Sequence, residues 1–163
     1  VPLEEAPYET FLNQLNTETT VILKKASEIN TIPANSKVIV GFHKDNSTAY
    51  KPYKISDSSK KVLSDLSKNQ TVILDVFGSP YALKDIDISK VSTVLVSYEN
   101  NDDAMKATAS GLLGQTKIWG RLPVLVNDNL KFGIGMDVDA KITTKQSDRK
   151  NSPETKNSKT VIE

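Results

Sequence analysis

Residues 71–100 read TVILDVFGSPYALKDIDISKVSTVLVSYEN, and this stretch decides the fold. Its two apolar, β-branched runs, 71–77 and 93–98, lie too far apart for a tight hairpin and are joined by Gly78-Ser79-Pro80-Tyr81 and a short polar segment. Such runs suit strands covered on both faces, as in a parallel sheet with helices packed above and below. Each breaks off abruptly, the first at Gly78-Ser79-Pro80 and the second at Glu99-Asn100-Asn101. Those breaks fall at carboxyl strand ends, where open α/β sheets place their clefts. The expected architecture is an α/β three-layer α/β/α sandwich around a mostly parallel sheet.

Upstream, residues 37–42 form a third apolar run that ends in Gly41-Phe42-His43. Before it, Phe11, Leu15, Ile22, Ala26 and Ile29 recur near the helical period, so 8–30 reads as mostly helix with Asn16-Thr17 as a candidate interruption. A competing reading makes Thr20–Leu23 a strand, because the run Thr19-Thr20-Val21-Ile22-Leu23 is β-branched. Ser56 or Asp57 can cap a helix whose apolar face is Val62, Leu63 and Leu66. Residues 81–89 read as one irregular helical turn plus loop. Asn100 or Asn101 caps a further helix, with Asp102 and Asp103 in its positive first turn and Met105, Ala109, Leu112 and Leu113 on its face. Gly114 supplies the left-handed stop. Residues 122–126 are expected as the last core strand, at an edge or strand end because of Pro123.

Three strings carry a family resemblance: Val76-Phe77-Gly78-Ser79-Pro80-Tyr81-Ala82-Leu83, then Val94-Leu95-Val96-Ser97-Tyr98-Glu99-Asn100, then Gly120-Arg121-Leu122-Pro123-Val124. In that order and spacing they resemble the C-terminal α/β sandwich domain of family 3 glycoside hydrolases, nearest to the β-N-acetylhexosaminidase-like branch. The resemblance implies a sandwich that accompanies a catalytic (β/α)8 barrel. In that branch the barrel carries the nucleophilic aspartate and the histidine-aspartate acid/base pair. Its Lys-His-Phe-Pro-Gly-type loop is nowhere in this sequence, so no catalytic residue carries over. The expected function is a non-catalytic accessory domain that buttresses the barrel, with amino-sugar glycans as ligands at the shared cleft. An extracytoplasmic location, periplasmic or secreted, is suggested by the family alone.

Length agrees with one domain: 163 residues suffice for one real core, whereas a (β/α)8 barrel alone takes roughly 250. Residues 1–7 read as a linker, 8–136 as the sandwich and 137–163 as a polar tail or linker, since hardly any apolar residue follows Ile142 until Val161-Ile162. The formal net charge of +1 disfavours nucleic acid or an anionic membrane as partner. No run approaches the roughly 18 apolar residues of a spanning helix. The absence of cysteine excludes disulfides and thiolate chemistry, and the single histidine excludes a multi-histidine metal site. No metal or cofactor is expected.

The substrate-binding candidates sit at the expected strand ends: His43, Asp45, Ser79, Tyr81, Glu99 and Asn100. His43 follows a strand end and stands either to meet a sugar or to anchor a loop, with anchoring the default. Glycoside hydrolysis ordinarily uses two carboxyl groups across one bond. Glu99 could act as general acid, as ligand to sugar hydroxyls, or as acceptor for the amides of residues 78–81, and the structural role is taken first. Asp75, in mid-strand, must pair or face outward. A small hydrolase built on Glu99 with Asp45 and an independent carbohydrate-binding or protein-interaction module are the alternatives. Trp119 is expected to pack rather than stack on a sugar. Neither G-x-S-x-G nor a strand-to-helix glycine fingerprint is present.

Overall fold

A computed structural model of the chain describes residues 1–4, 6–44 and 53–141. Among these, four parallel strands form one sheet in the order β1 (Pro2–Leu3), β2 (Lys37–His43), β3 (Thr71–Phe77) and β4 (Thr93–Val96). The central pair runs in register from Lys37 opposite Thr71 to His43 opposite Phe77, and β4 continues it with Ile73 opposite Thr93. The parallel pairing expected for 71–77 and 93–98 is therefore present, with β4 ending at Val96.

Side chains alternate across β2 and β3 and so feed two cores. Val38, Val40, Phe42, Val72, Leu74 and Val76 face one way and pack with Leu63 and Leu66 of α2 (Asp57–Leu66). Ile39 and Phe77 face the other way and pack with Phe11 and Leu15 of α1 (Glu9–Leu15) and with Met105 and Ala109 of α3 (Asp102–Leu112). The result is an α/β fold with helices on both faces of a parallel sheet. Each fully buried Val, Leu or Phe in these clusters contributes roughly 1.5–3 kcal/mol relative to exposure.

The caps follow the sequence reading. Ser56 Oγ accepts from Ser59 N to start α2, and Asn101 Oδ1 accepts from Ala104 N to start α3. Gly114, at φ 76°, turns the chain away after α3. A short 3₁₀ helix, Pro80–Asp85, follows β3 with Ser79 as its cap.

Three expectations fail, each for a local reason. Residues 1–7 are not simply a linker, because Pro2–Leu3 pairs with Gly41–Phe42 as β1. Residues 8–30 hold less helix than expected, and the break falls at the candidate interruption, Asn16-Thr17. Asn16 stops α1 by donating its side-chain amide to Leu12 O and accepting from Val21 N, and the β-branched residues 19–22 then form neither helix nor strand. Helical structure resumes only as the 3₁₀ turn Ala26–Thr31.

The third concerns residues 122–126, which do not join the sheet. Leu122 N donates to Ile134 O and Val126 N to Leu130 O, so this run bonds to the returning chain. An antiparallel bridge between Ile118 and Val138 closes the excursion. Leu122 and Val126 still bury against the core cluster that contains Val94 and Val96. The tail beyond residue 141 lies outside the described residues.

Candidate functional site

All four strands point their carboxyl ends to one rim, so the candidates can be placed on it. His43 ends β2 and is 1 % exposed. Its ring stacks on Phe77, with centroids 4.5 Å and planes 12° apart, and Tyr8 and Phe11 approach at 6.0 and 6.1 Å. Gly41, two residues earlier on the same strand face, is required here, since a Cβ would collide with His43 Nε2. His43 Nδ1 donates to Asn100 Oδ1 at 2.8 Å, and Asn100 Nδ2 donates to Pro7 O at 3.0 Å, which fixes the amide orientation. Burial drives the imidazole down to about 4, against the raising effect of Asn100, so it is neutral at physiological pH.

His43 and Gly41 line a pocket of only about 40 Å³ with Tyr8, Phe11 and Ile39, room for little more than a water or two. This is an anchoring geometry. His43 and Asn100 tie the start of α3 to β2 and to the segment before α1, and the ring is 1 % exposed.

The exposed part of the rim is built from other residues. Tyr81 follows the Ser79 cap and is 41 % exposed; its ring lies 6.1 Å from Tyr53, which is equally exposed. Ser79 Oγ accepts from Tyr81 N and is thereby committed to the turn. Glu99 is exposed, and its carboxylate accepts from Asn101 Nδ2 rather than from the amides of residues 78–81. Tyr98, at φ 63°, carries the strained backbone that turns β4 into this loop. Asp45 and residues 46–52 lie outside the described residues.

A charged cluster completes the rim beside β1. Glu4, whose side chain is 7 % exposed, accepts from Lys44 Nζ at 3.1 Å and from Ser56 N and Oγ at 3.1 and 2.9 Å. Burial pushes its carboxyl up, but the hydrogen bonds from Ser59, Ser56 and Lys44 outweigh it and hold the group below the ordinary glutamate value. This cluster pins β1 to the start of α2.

Chemically, the described rim can hold loops and offer aromatic and amide contacts. A general acid of glycoside cleavage is set in an apolar enclosure, and Glu99 has none. Asp102, in the first turn of α3, is taken by Thr10 Oγ1 at 2.6 Å. Among the described residues no three His, Cys, Asp or Glu side chains converge as a metal site, and no helix is long and apolar enough to cross a membrane.

Sequence reasoning missed two features. Tyr53 was visible only as a loop residue, because its pairing with Tyr81 is a long-range fact. Trp119 was expected to pack, yet it is 71 % exposed. Leu125, Phe132, Ile134, Met136 and Val138 are exposed with it, all on the excursion between α3 and residue 141. Ion pairs from Lys117 to Asp139 and from Arg121 to Asp137 brace the two arms of that excursion and leave these six side chains uncovered.

The chain matches no family model, no curated protein and no solved structure.

Proposed function

We propose that this chain is the non-catalytic C-terminal accessory domain of a β-N-acetylhexosaminidase-like family 3 glycoside hydrolase. It docks on a catalytic (β/α)8 barrel of the same or a partner polypeptide and lends its rim to the sugar cleft, in an extracytoplasmic enzyme. The observation that carries this reading is the concentration of Trp119, Leu125, Phe132, Ile134, Met136 and Val138, all exposed, on one excursion. Six large apolar side chains exposed within one excursion support an interaction face there. The order of the three sequence strings supports the identity of the partner. The rim supports a non-catalytic role, since His43 and Asn100 are spent on anchoring each other.

Two measurements on the natural gene product test the proposal. The coding sequence upstream of Val1 is expected to encode a barrel with a Lys-His-Phe-Pro-Gly-type loop. The complete polypeptide is expected to hydrolyse an aryl N-acetylglucosaminide, while residues 1–163 alone do not. Turnover by the isolated chain that disappears in Glu99→Gln would replace the reading with a small hydrolase.

The exposed Tyr53–Tyr81 pair favours a second reading, an independent carbohydrate-binding module, because paired tyrosines can stack on sugar faces. Calorimetry of the isolated chain with N-acetylglucosamine oligomers separates the two. The accessory domain binds them only together with the barrel.

A further inference from the structure

Asp75 stands at the middle of β3, opposite Gly41 of β2 and Leu95 of β4, and is 0 % exposed. The sequence requires such a residue to pair or face outward, and it does neither. Its Oδ1 accepts from Ser97 Oγ at 2.9 Å, and Ser97 Oγ lies 2.5 Å from Thr108 Oγ1. Among the described residues Oδ2 has no partner, and no ion pair reaches the carboxyl.

The groups on this side of the sheet include Ile39, Gly41 and His43 from β2, Phe77 from β3, Leu95 and Ser97 from the β4 segment, Phe11 and Leu15 from α1, and Met105, Thr108 and Ala109 from α3. Besides Asp75, three titratable groups of the described residues lie on this face: His43, which is held neutral, Tyr8, whose ring is 6.0 Å from it, and the Val1 amine, which donates to Ile39 O and is lowered by burial to about 6. The charged residues of α3, Asp102, Asp103 and Lys106, and Glu9 of α1 are exposed. A carboxylate here would have the Ser97 hydroxyl and the Val76 amide as donors, one oxygen without a partner and no cation paired with it, a costly arrangement in a buried site.

We propose that Asp75 is a proton-operated latch: as a neutral acid it is tolerated in the closed seam between β3 and α3, where Ser97 links it to Thr108, and loss of its proton leaves a buried carboxylate that drives α3 to open to water. The step is a simple ionisation, in which the carboxyl O–H breaks and the proton passes to water. Because Asn100 and Asn101 lead directly into α3, release of the helix also releases the Glu99–Asn101 part of the rim. Burial, working against the Ser97 hydroxyl and the Val76 amide, drives this carboxyl up to about 7, so the latch operates near neutrality. The device stands on the hydroxyl chain and the orphaned oxygen and does not depend on the partner proposed above.

The test is carboxyl ¹³C NMR of Asp75 in the wild-type chain together with amide hydrogen exchange, corrected for base catalysis, on either side of neutrality. The expected result is an Asp75 midpoint near 7 and a loss of α3 protection of about tenfold at the higher pH, with α2 unchanged. Asp75→Asn is expected to abolish the pH dependence, and Thr108→Val to lower α3 protection at both pH values. An Asp75 that titrates in the ordinary aspartate range overturns the proposal, whether or not the variants fold. So does α3 protection that falls equally in Asp75→Asn.

Discussion

The imidazole of His43 and the side-chain amide of Asn100 meet at 2.8 Å across 57 positions of chain, and through them the end of β2 is bonded to the residue before the α3 cap. The contact is buried and neutral, which gives it a definite pH signature. An imidazole whose folded pKa is lowered to about 4 from 6.5 favours the folded state only while it stays neutral. Its contribution is present above the unfolded value and is lost as pH falls from 6.5 towards 4, a change of about 3 kcal/mol. The C2 proton of His43 should titrate with a midpoint near 4, and a midpoint at the ordinary histidine value would refute the burial argument.

Removing the partner tests the same bond without changing the histidine. Asn100→Ala leaves Nδ1–H buried with nothing to accept it, and should destabilise the chain by about 1–3 kcal/mol in urea unfolding. A loss within a few tenths of a kcal/mol would mean that water reaches the ring.

Asp75 titrates in the opposite sense. Its folded pKa is raised to about 7 from 3.8, so its stabilising effect is complete below the unfolded value and is lost as pH rises through the interval to 7. Between 4 and 6.5 the unfolded chain takes up a proton at His43 and gives one up at Asp75, and the two slopes cancel. The stability of Asp75→Asn relative to wild type should therefore rise by about 1.4 kcal/mol per pH unit across this interval. A pH-independent difference would show Asp75 already ionised in the fold.

Substitutions in the two layers should separate core from surface. Leu63→Ala, at 2 % exposure on the buried face of α2, should cost about 2–5 kcal/mol of stability. Met136→Ser, at 74 % exposure on the excursion, should change stability by no more than about 0.5 kcal/mol. A large cost for Met136→Ser in the isolated chain would mean that the excursion folds back on its own domain.

Much of the sheet was legible because the strands are short apolar runs with β-branched residues and sharp ends: β2, β3 and β4 fall where Val38, Val72 and Val94 announce them. The caps at Ser56 and Asn101 and the face of α3 were legible for local reasons. What escaped the sequence depends on distant partners. β1 is too short for any periodicity, and its pairing with β2 is fixed by residues 39 positions away. Residues 122–126 have strand composition, but Pro123 lacks a donor and the returning chain at Leu130 and Ile134 captures the amides of Val126 and Leu122. Of the candidate site, the rim position of Glu99 and Tyr81 could be inferred from strand ends. The burial of His43 could not, since it takes Phe11, Phe77 and Gly41 together to enclose the ring.

The docking face proposed for the excursion is open to direct measurement. Hydroxyl-radical footprinting of Trp119, Phe132 and Met136 should be carried out on residues 1–163 alone and on the complete polypeptide. Ready oxidation in the isolated chain and strong protection in the complete protein are the predicted results; equal oxidation in both would contradict an accessory domain seated through this excursion.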